Sequence, residues 1–226
     1  PSIGPSVTNT RHVVPKRHRL VVEFDTSTNP TDLTTVRDTS GMGNDGTLIG
    51  NAYYSIGDKA FKFDGSGDYI QGTTNLGSGD INVSVSVWLK LNTMSSTMSP
   101  FFIGVDASGQ GGLGVDFNIN GSSLVLFTTN GSVISLSNWH TYIPLNTWTH
   151  LIFEHNTGGL KKLYINGISR GTSTSSTNLN LGSNPTLYIG NRISTKYFDG
   201  QMSSIKLYNT ALTAGDVKTL YDMGRG

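Results

Sequence analysis

The chain has 226 residues, no cysteine, 28 glycines and a formal charge of only +1, with 14% charged residues. This length suits one all-β domain able to bury a sizeable core. The lack of cysteine excludes disulfides and thiolate metal sites, and the weak, balanced charge argues against nucleic acid or an anionic membrane as the main partner. No apolar run approaches the roughly 20 residues of a membrane span, so membrane insertion is not expected; no secretory leader is read, and the start at Pro1 suggests an excised piece.

In chain order, residues 1–19 hold three prolines and the basic residues Arg11, Lys16, Arg17 and Arg19, with no acid. They read as a linker or N-terminal arm, or alternatively as a docking strand for phosphate or an acidic partner. Residues 20–226 read as the folded domain. Leu20–Phe24 is a short apolar strand. The stretch Asp38-Thr-Ser-Gly-Met-Gly-Asn-Asp-Gly-Thr47 forces a tight, irregular loop with two readings: a calcium site, because that ion takes hard oxygen ligands, or a turn held by Asx side-chain bonds to the backbone. Ala60–Gln71 contains two strands with Phe61, Phe63 and Ile70 as core residues, a hairpin turn at Asp64-Gly65, and Asp68 just beyond it.

The strictest alternation lies in Ile81–Leu91. Val83, Val85, Val87, Leu89 and Leu91 point one way and Ser84, Ser86, Trp88 and Lys90 the other, which predicts a half-buried strand. Trp88 on the polar face is either covered by a loop or terminal segment, or offered as a platform to a ligand. Four short strands follow, over Phe101–Val105, Gly112–Ile119, Ser123–Thr128 and Ser132–Leu136. Asn120-Gly121 and Asn130-Gly131 join them, the dipeptides that favour two-residue hairpins, so the region is predicted to be a meander. Trp139, His140 and Tyr142 form an aromatic cluster that either stacks on sugar faces or packs onto the sandwich edge.

Asn146–His155 reads as a strand with Leu151 and Phe153 on one face and Trp148, His150, Ile152 and Glu154 on the other. Leu160–Ile165 turns through Asn166-Gly167 into Ile168–Gly171. Thr172–Asn180 is a polar connection, and Thr186–Ile189 and Met202–Tyr208 supply two more strands. Only the end is helical: Thr213-Ala-Gly-Asp216 resembles a capping box, with Val217, Leu220 and Tyr221 as an apolar face before Gly224.

Seven pieces stand in a familiar order: D-T-S-G-M-G-N-D-G-T at 38–47, F-D-G-S-G-D-Y-I at 63–70, V-S-V-W-L-K at 85–90, N-T-W-T-H-L at 146–151, K-L-Y-I-N-G at 162–167, L-Y-I-G at 187–190 and I-K-L-Y-N-T-A-L-T at 205–213. The series resembles the laminin G-like modules of the concanavalin A-like lectin/glucanase superfamily over Leu20–Gly224. That resemblance implies a jelly-roll β-sandwich of two antiparallel sheets with a short C-terminal helix. It also implies a structural calcium ion, with Asp38, Asn44 and Asp68 as candidate ligands, although Ser203 and Ser204 stand where many relatives have an acidic pair. The tail, L-Y-N-T-A-L-T and L-Y-D-M-G-R, resembles modules of viral and phage fibre or surface proteins, which implies an extracellular or virion-surface location.

For function, the laminarinase-type members of the superfamily carry Glu-x-Asp-x-x-Glu on one strand, whereas this chain has two glutamates, Glu23 and Glu154, far apart. No G-x-S-x-G nucleophile elbow is present. The expectation is a non-catalytic carbohydrate-binding module of a larger surface or fibre protein, partnered by cell-surface or polysaccharide glycans and by other domains of its parent. Trp88, Trp139, His140, Tyr142 and Tyr197 are the ring and imidazole candidates for contact with the sugar. The alternative is a structural or protein-adhesion domain.

Overall fold

The computed structural model describes residues 13–225 apart from 78, 80, 105–111, 119–122, 129–130, 175–178, 180 and 193–194. In chain order its strands are β1 (Leu20–Phe24), β2 (Thr31–Asp32), β3 (Thr35–Val36), β4 (Gly46–Ile49), β5 (Tyr53–Ser55), β6 (Ala60–Asp64), β7 (Tyr69–Thr73), β8 (Val83–Leu91) and β9 (Met98–Gly104). They continue as β10 (Gly112–Asn118), β11 (Ser123–Thr128), β12 (Gly131–Ser137), β13 (Thr149–His155), β14 (Lys161–Ile165), β15 (Ile168–Ser173), β16 (Thr186–Ile189) and β17 (Asp199–Tyr208). Helix α1 (Ala214–Met223) follows. The first sheet has the order β15-β14-β13-β8-β17-β6-β5 with β1 added on β17, and the second the order β12-β11-β10-β9-β16-β7-β4-β3-β2. The pairings are antiparallel throughout. The result is the jelly-roll sandwich of two antiparallel sheets that the family resemblance implies.

Strand β8 sorts the two faces of the first sheet. Its valines and leucines at 83, 85, 87, 89 and 91 are buried in the core, and β13 matches them in register, with Leu151 opposite Val87 and Phe153 opposite Val85. Across the sandwich Phe153 meets Phe101 of β9 edge to face at 5.1 Å. Each such side chain contributes about 1.5–3 kcal/mol on leaving water. The register also fixes the outer face, where His150 lies opposite Trp88, Ile152 opposite Ser86 and Glu154 opposite Ser84.

The predicted meander is present as β9–β12, each strand pairing with the next. The Asn120-Gly121 turn and Asn130 lie outside the described residues. Asn166-Gly167 forms its two-residue turn with φ of 52° and 75°, the left-handed pair that a type I′ turn requires.

One turn is corrected. Asp64-Gly65 does not make a hairpin, because β6 pairs with β17 and β5 in the first sheet while β7 pairs with β16 and β4 in the second. Alternation cannot distinguish the two arrangements, since Phe61, Phe63 and Ile70 reach the same core from opposite sheets. The turn instead carries the chain across the sandwich edge, and Gly50 packs so tightly on it that a Cβ there would strike the Gly67 carbonyl and the Asp68 carboxylate.

Helix α1 has the predicted capping box, with Thr213 accepting from the Asp216 N–H and Asp216 accepting from the Thr213 N–H. Its Val217 and Leu220 pack with Leu20, Ile152, Tyr164, Tyr208 and Leu212 on the outer face of the first sheet. The end of the predicted arm docks there as well. Arg17 pairs with Glu23 at 3.1 Å and donates to the Thr39 carbonyl, and Arg19 donates to that of Asn209. Strand β17 is divided: residues 199–202 run beside β6 and 205–208 beside β1, with an irregularity between Ser203 and Lys206 and a φ of 50° at Ser204.

Candidate functional site

Because β17 changes neighbours midway, its outward side chains enter two different recesses. The first is an open cleft of about 550 Å³ lined by Asn51, Tyr53, Lys62, Asp64, Asp68, Asn92, Asp199 and Gln201. Asp64 and Asp199 lie directly opposite each other in the β6–β17 register. Asp199 Oδ1 accepts from the Asn92 amide at 2.9 Å, Asp64 Oδ1 from the Ser66 N–H at 2.8 Å, and Asp68 from the N–H groups of Asn51 at 2.6 Å and Asp64 at 3.0 Å. Burial raises the Asp68 pKa and the Asp64 charge adds to it, against the two N–H groups. Among the described residues none of these three carboxylates is in an ion pair. The cation of the cleft, Lys62, is held by Asp58 at 2.6 Å.

Two further groups face ligand-ready. Gln201 is only 8% exposed and its Oε1 has no hydrogen-bond partner. Tyr53 is 53% exposed on the edge strand β5. Such a cleft offers fixed acceptors and an aromatic face, the combination that binds hydroxyl and N–H donors carried on a partly apolar ring.

The second recess, about 190 Å³, lies between the outer face of the first sheet and the end of α1, with Glu23, Asp25, Ser86, Trp88, His150 and Lys206 on the sheet side. Its groups are largely spent on one another. Lys206 Nζ donates to Ser204 Oγ at 2.6 Å and lies 3.6 Å from Glu23, whose other oxygen takes Arg17 and Thr39. Burial lowers the Lys206 pKa, with Glu23 opposing. His150 Nε2 pairs with Ser86 Oγ at 2.8 Å, and burial, aided by the Lys206 charge, pushes the imidazole down to about 3. Trp88, His150 and Tyr221 of α1 lie with nearly parallel rings, their centroids 5.0–6.1 Å apart.

The predicted ligand-binding residues scatter. Trp88 is half-buried, stacked on Tyr221 of the terminal helix, and lines the second recess. Trp139 is a core residue, 2% exposed and stacked on Phe117 at 4.8 Å, because its 3-10 turn tucks the indole under the meander. That placement corrects the expectation of a sugar-stacking Trp139. His140 is exposed, and Tyr142 is half-buried with the Arg170 guanidinium 4.2 Å above its ring. Tyr197 is half-buried on the loop before β17. None of these five lines the open cleft.

The predicted calcium ligands do not fit one ion. Asp38 and Asn44 share a loop, but the Asp38 carboxylate is met by four donors, namely the N–H groups of Glu23, Ser40 and Asn44 and the Ser40 hydroxyl, at 2.8–2.9 Å. Donors turned inward are the opposite of a cation cage. Asp68 takes its bonds from a different set, Asn51 and Asp64, and among the described residues no three His, Asp or Glu side chains converge as metal ligands. Ser203 bonds Thr26 Oγ1 at 2.6 Å and the Lys59 carbonyl at 3.1 Å, and so fastens the divided strand.

Of the cleft residues, Asp64 and Asp68 stood in a legible motif, whereas Asn51, Tyr53, Asn92, Asp199 and Gln201 come from three other stretches of chain that only the topology joins. The two glutamates are no hydrolytic pair. Glu23 is buried against Arg17 and Thr39, and the Glu154 side chain is fully covered beneath α1.

An antiparallel jelly roll whose open rim gathers amides, carboxylates and one exposed ring has the architecture of a lectin-like sandwich. The chain belongs to the Laminin_G_3 family, described as the concanavalin A-like lectin/glucanases superfamily, which matches residues 64–218. Its structure is similar to domain 4 of AbnA, a GH43 extracellular arabinanase from Geobacillus stearothermophilus, solved in complex with arabinotriose, with 24% identity, a TM-score of 0.69, and coverage of 90% of this chain and 98% of that one. It is also similar to the ligand-binding domain of botulinum neurotoxin serotype D, solved in complex with N-acetylneuraminic acid, with 18% identity, a TM-score of 0.69, and coverage of 92% of this chain and 52% of that one. The receptor-binding domain of the botulinum neurotoxin C/D mosaic serotype gives 17% identity and a TM-score of 0.67, again over 92% and 52%. The chain thus spans about half of those toxin domains. No curated protein matches it in sequence. Among the described residues no helix is long and apolar enough to cross a membrane.

Proposed function

We propose that this domain is a non-catalytic glycan-binding module of a larger extracellular or virion-surface protein, and that it binds through the cleft between Tyr53 and Gln201. One observation carries this reading: a buried side-chain carbonyl without a partner, Gln201 Oε1, lines the same cleft as the exposed Tyr53 ring and the unpaired carboxylates. An unsatisfied buried acceptor costs about 1–3 kcal/mol, and a ligand hydroxyl would supply the missing bond. The glycan complexes of two structural neighbours support the sugar as ligand, and the commitment of Glu23 to Arg17 and Thr39 and the cover over Glu154 support the absence of a hydrolytic glutamate pair. The carboxylates disfavour sialylated or uronic chains, so the expected ligands lack acidic groups.

A glycan array on the isolated domain tests this, followed by titration of the best hit against Tyr53→Ala and Gln201→Leu. Loss of at least about tenfold in affinity for each, with no fall in melting temperature for Gln201→Leu, is expected. Release of reducing sugar would overturn the reading. So would retention of a protein partner with no glycan bound, which would favour an adhesion role.

A further inference from the structure

Asp64 and Asp199 sit opposite each other in adjacent strands, an arrangement in which like charges repel across the sheet. Asp68 adds a third carboxylate within the same cleft, and none of the three has a salt-bridge partner among the described residues. Of the cations nearby, Lys62 is held by Asp58, and Lys90, opposite Gln201 in the β17–β8 register, lies over the Trp148 ring at 5.5 Å. Independently of the acids, the Gln201 carbonyl is more than nine-tenths buried, unpartnered, and part of the same lining. The carboxylates do not converge as metal ligands. Each of them still has acceptor capacity beyond the single N–H or amide bonds on Asp64 and Asp199. A ligand that brings a positive charge together with several divergent N–H donors would answer all of these features at once.

We propose that the cleft selects sugars bearing a free primary amine, whose ammonium group bridges the Asp64–Asp199 pair and donates to Gln201 Oε1 while Tyr53 covers the ring. This inference rests on the glycan-binding reading and gives it a substrate class. A primary ammonium has three donors and no acceptor, so it matches the acceptors that Asp64, Asp199 and Gln201 Oε1 present. Charge-assisted bonds of this type are stronger than those of a neutral hydroxyl. N-acetylation would remove both the charge and two of the three donors.

The test compares oligosaccharides of equal length, a glucosamine trimer, its fully N-acetylated counterpart and a galacturonic acid trimer, by titration calorimetry at about pH 5.5, below the ordinary range of an amino group. The glucosamine trimer is expected to bind at least about tenfold more tightly than the acetylated one, with affinity falling as salt is raised, and the uronic trimer not at all. Asp199→Asn separates this from a folding defect, because relieving the like-charge pair should raise the melting temperature of the free protein while the amine preference falls at least about tenfold. Equal or tighter binding of the acetylated trimer would refute the amine preference and leave the glycan reading standing. Absence of binding to any array glycan would remove both. Calcium that competes with the glucosamine trimer, and loses its own binding in Asp199→Asn, would assign the carboxylates to a metal and overturn the proposal.

Discussion

Strand β17 shows how one strand can serve a closed region and an open one. Toward its end, Lys206 is buried and yet answered, by Ser204 at 2.6 Å and Glu23 at 3.6 Å, under a helix that also pins Trp88. Toward its start, Gln201 is as well buried, but its carbonyl finds nothing, and Asp199 faces another acid. Buried polar groups in folded proteins are normally paired. Neither half of the sheet obeys that rule throughout: beneath the helix both Glu154 carboxylate oxygens and the Tyr208 hydroxyl are buried without hydrogen-bond partners as well, but they line neither recess, whereas Gln201 Oε1 belongs to the lining of the open cleft. An unpartnered group's access to an open cleft, more than burial or ring count, separates scaffold from site here.

The sharpest break in that comparison comes from a ring on the scaffold side. Trp139→Ala should destabilise the fold by about 3–5 kcal/mol, because the indole is nearly fully buried and stacked on Phe117. Urea unfolding reads this directly. Unchanged stability with reduced glycan binding would return Trp139 to the site.

Most of the scaffold was legible because its signals are local. The 83–91 alternation, the Asn166-Gly167 turn and the Thr213–Asp216 cap each state their structure within a few residues, and the family motifs supplied their order. The Asp64-Gly65 connection was misread because a hairpin and a crossover between sheets bury the same phenylalanines. The cleft was half legible. Asp68 came from a motif, but Tyr53, Asn92 and Gln201 are brought together by the pairing of β5, β6 and β17, and no spacing in the chain encodes that meeting. Trp88 and Trp139 misled for a related reason: an aromatic residue on a polar strand face or in a loop does not announce what will later fold over it.

A second prediction tests how completely the closed region is satisfied. Glu154, beneath α1, has Lys162 at 3.8 Å, and burial, opposed by Lys162, pushes its carboxyl up to about 7. The folded state therefore holds this proton more tightly than the unfolded one. The stability it contributes is present below about pH 4.5 and is lost as pH rises through about 7. His150, held near 3, has the opposite sign, losing stability as pH falls below its ordinary range. The difference between Glu154→Gln and the parent chain isolates Glu154. That difference should be small at about pH 4.5 and grow in favour of the variant to a value on the order of 3 kcal/mol above about pH 7. A flat difference in chemical denaturation across the window would mean that Glu154 is charged without penalty.

The smallest effects come from comparing a saturated acceptor with an unsatisfied one. Asp38 receives four protein donors, so Asp38→Ala strands buried N–H groups and should cost about 2 kcal/mol. Because those donors occupy the place a cation would need, that cost should be the same in excess calcium and in chelator, and melts of the parent chain in the two buffers should superimpose. A metal bound only by the folded state would instead raise the melting temperature as its concentration rises. Gln201→Leu removes a buried acceptor that has no partner to strand, so the free variant should lose no stability and gain about 1 kcal/mol or more. Thermal melts of the two variants, each in calcium and in chelator, decide the matter. A calcium-dependent loss at Asp38 would place an ion in its loop, and a large loss at Gln201 would show that its carbonyl is already answered within the fold, which would withdraw the feature that marks the cleft as a site.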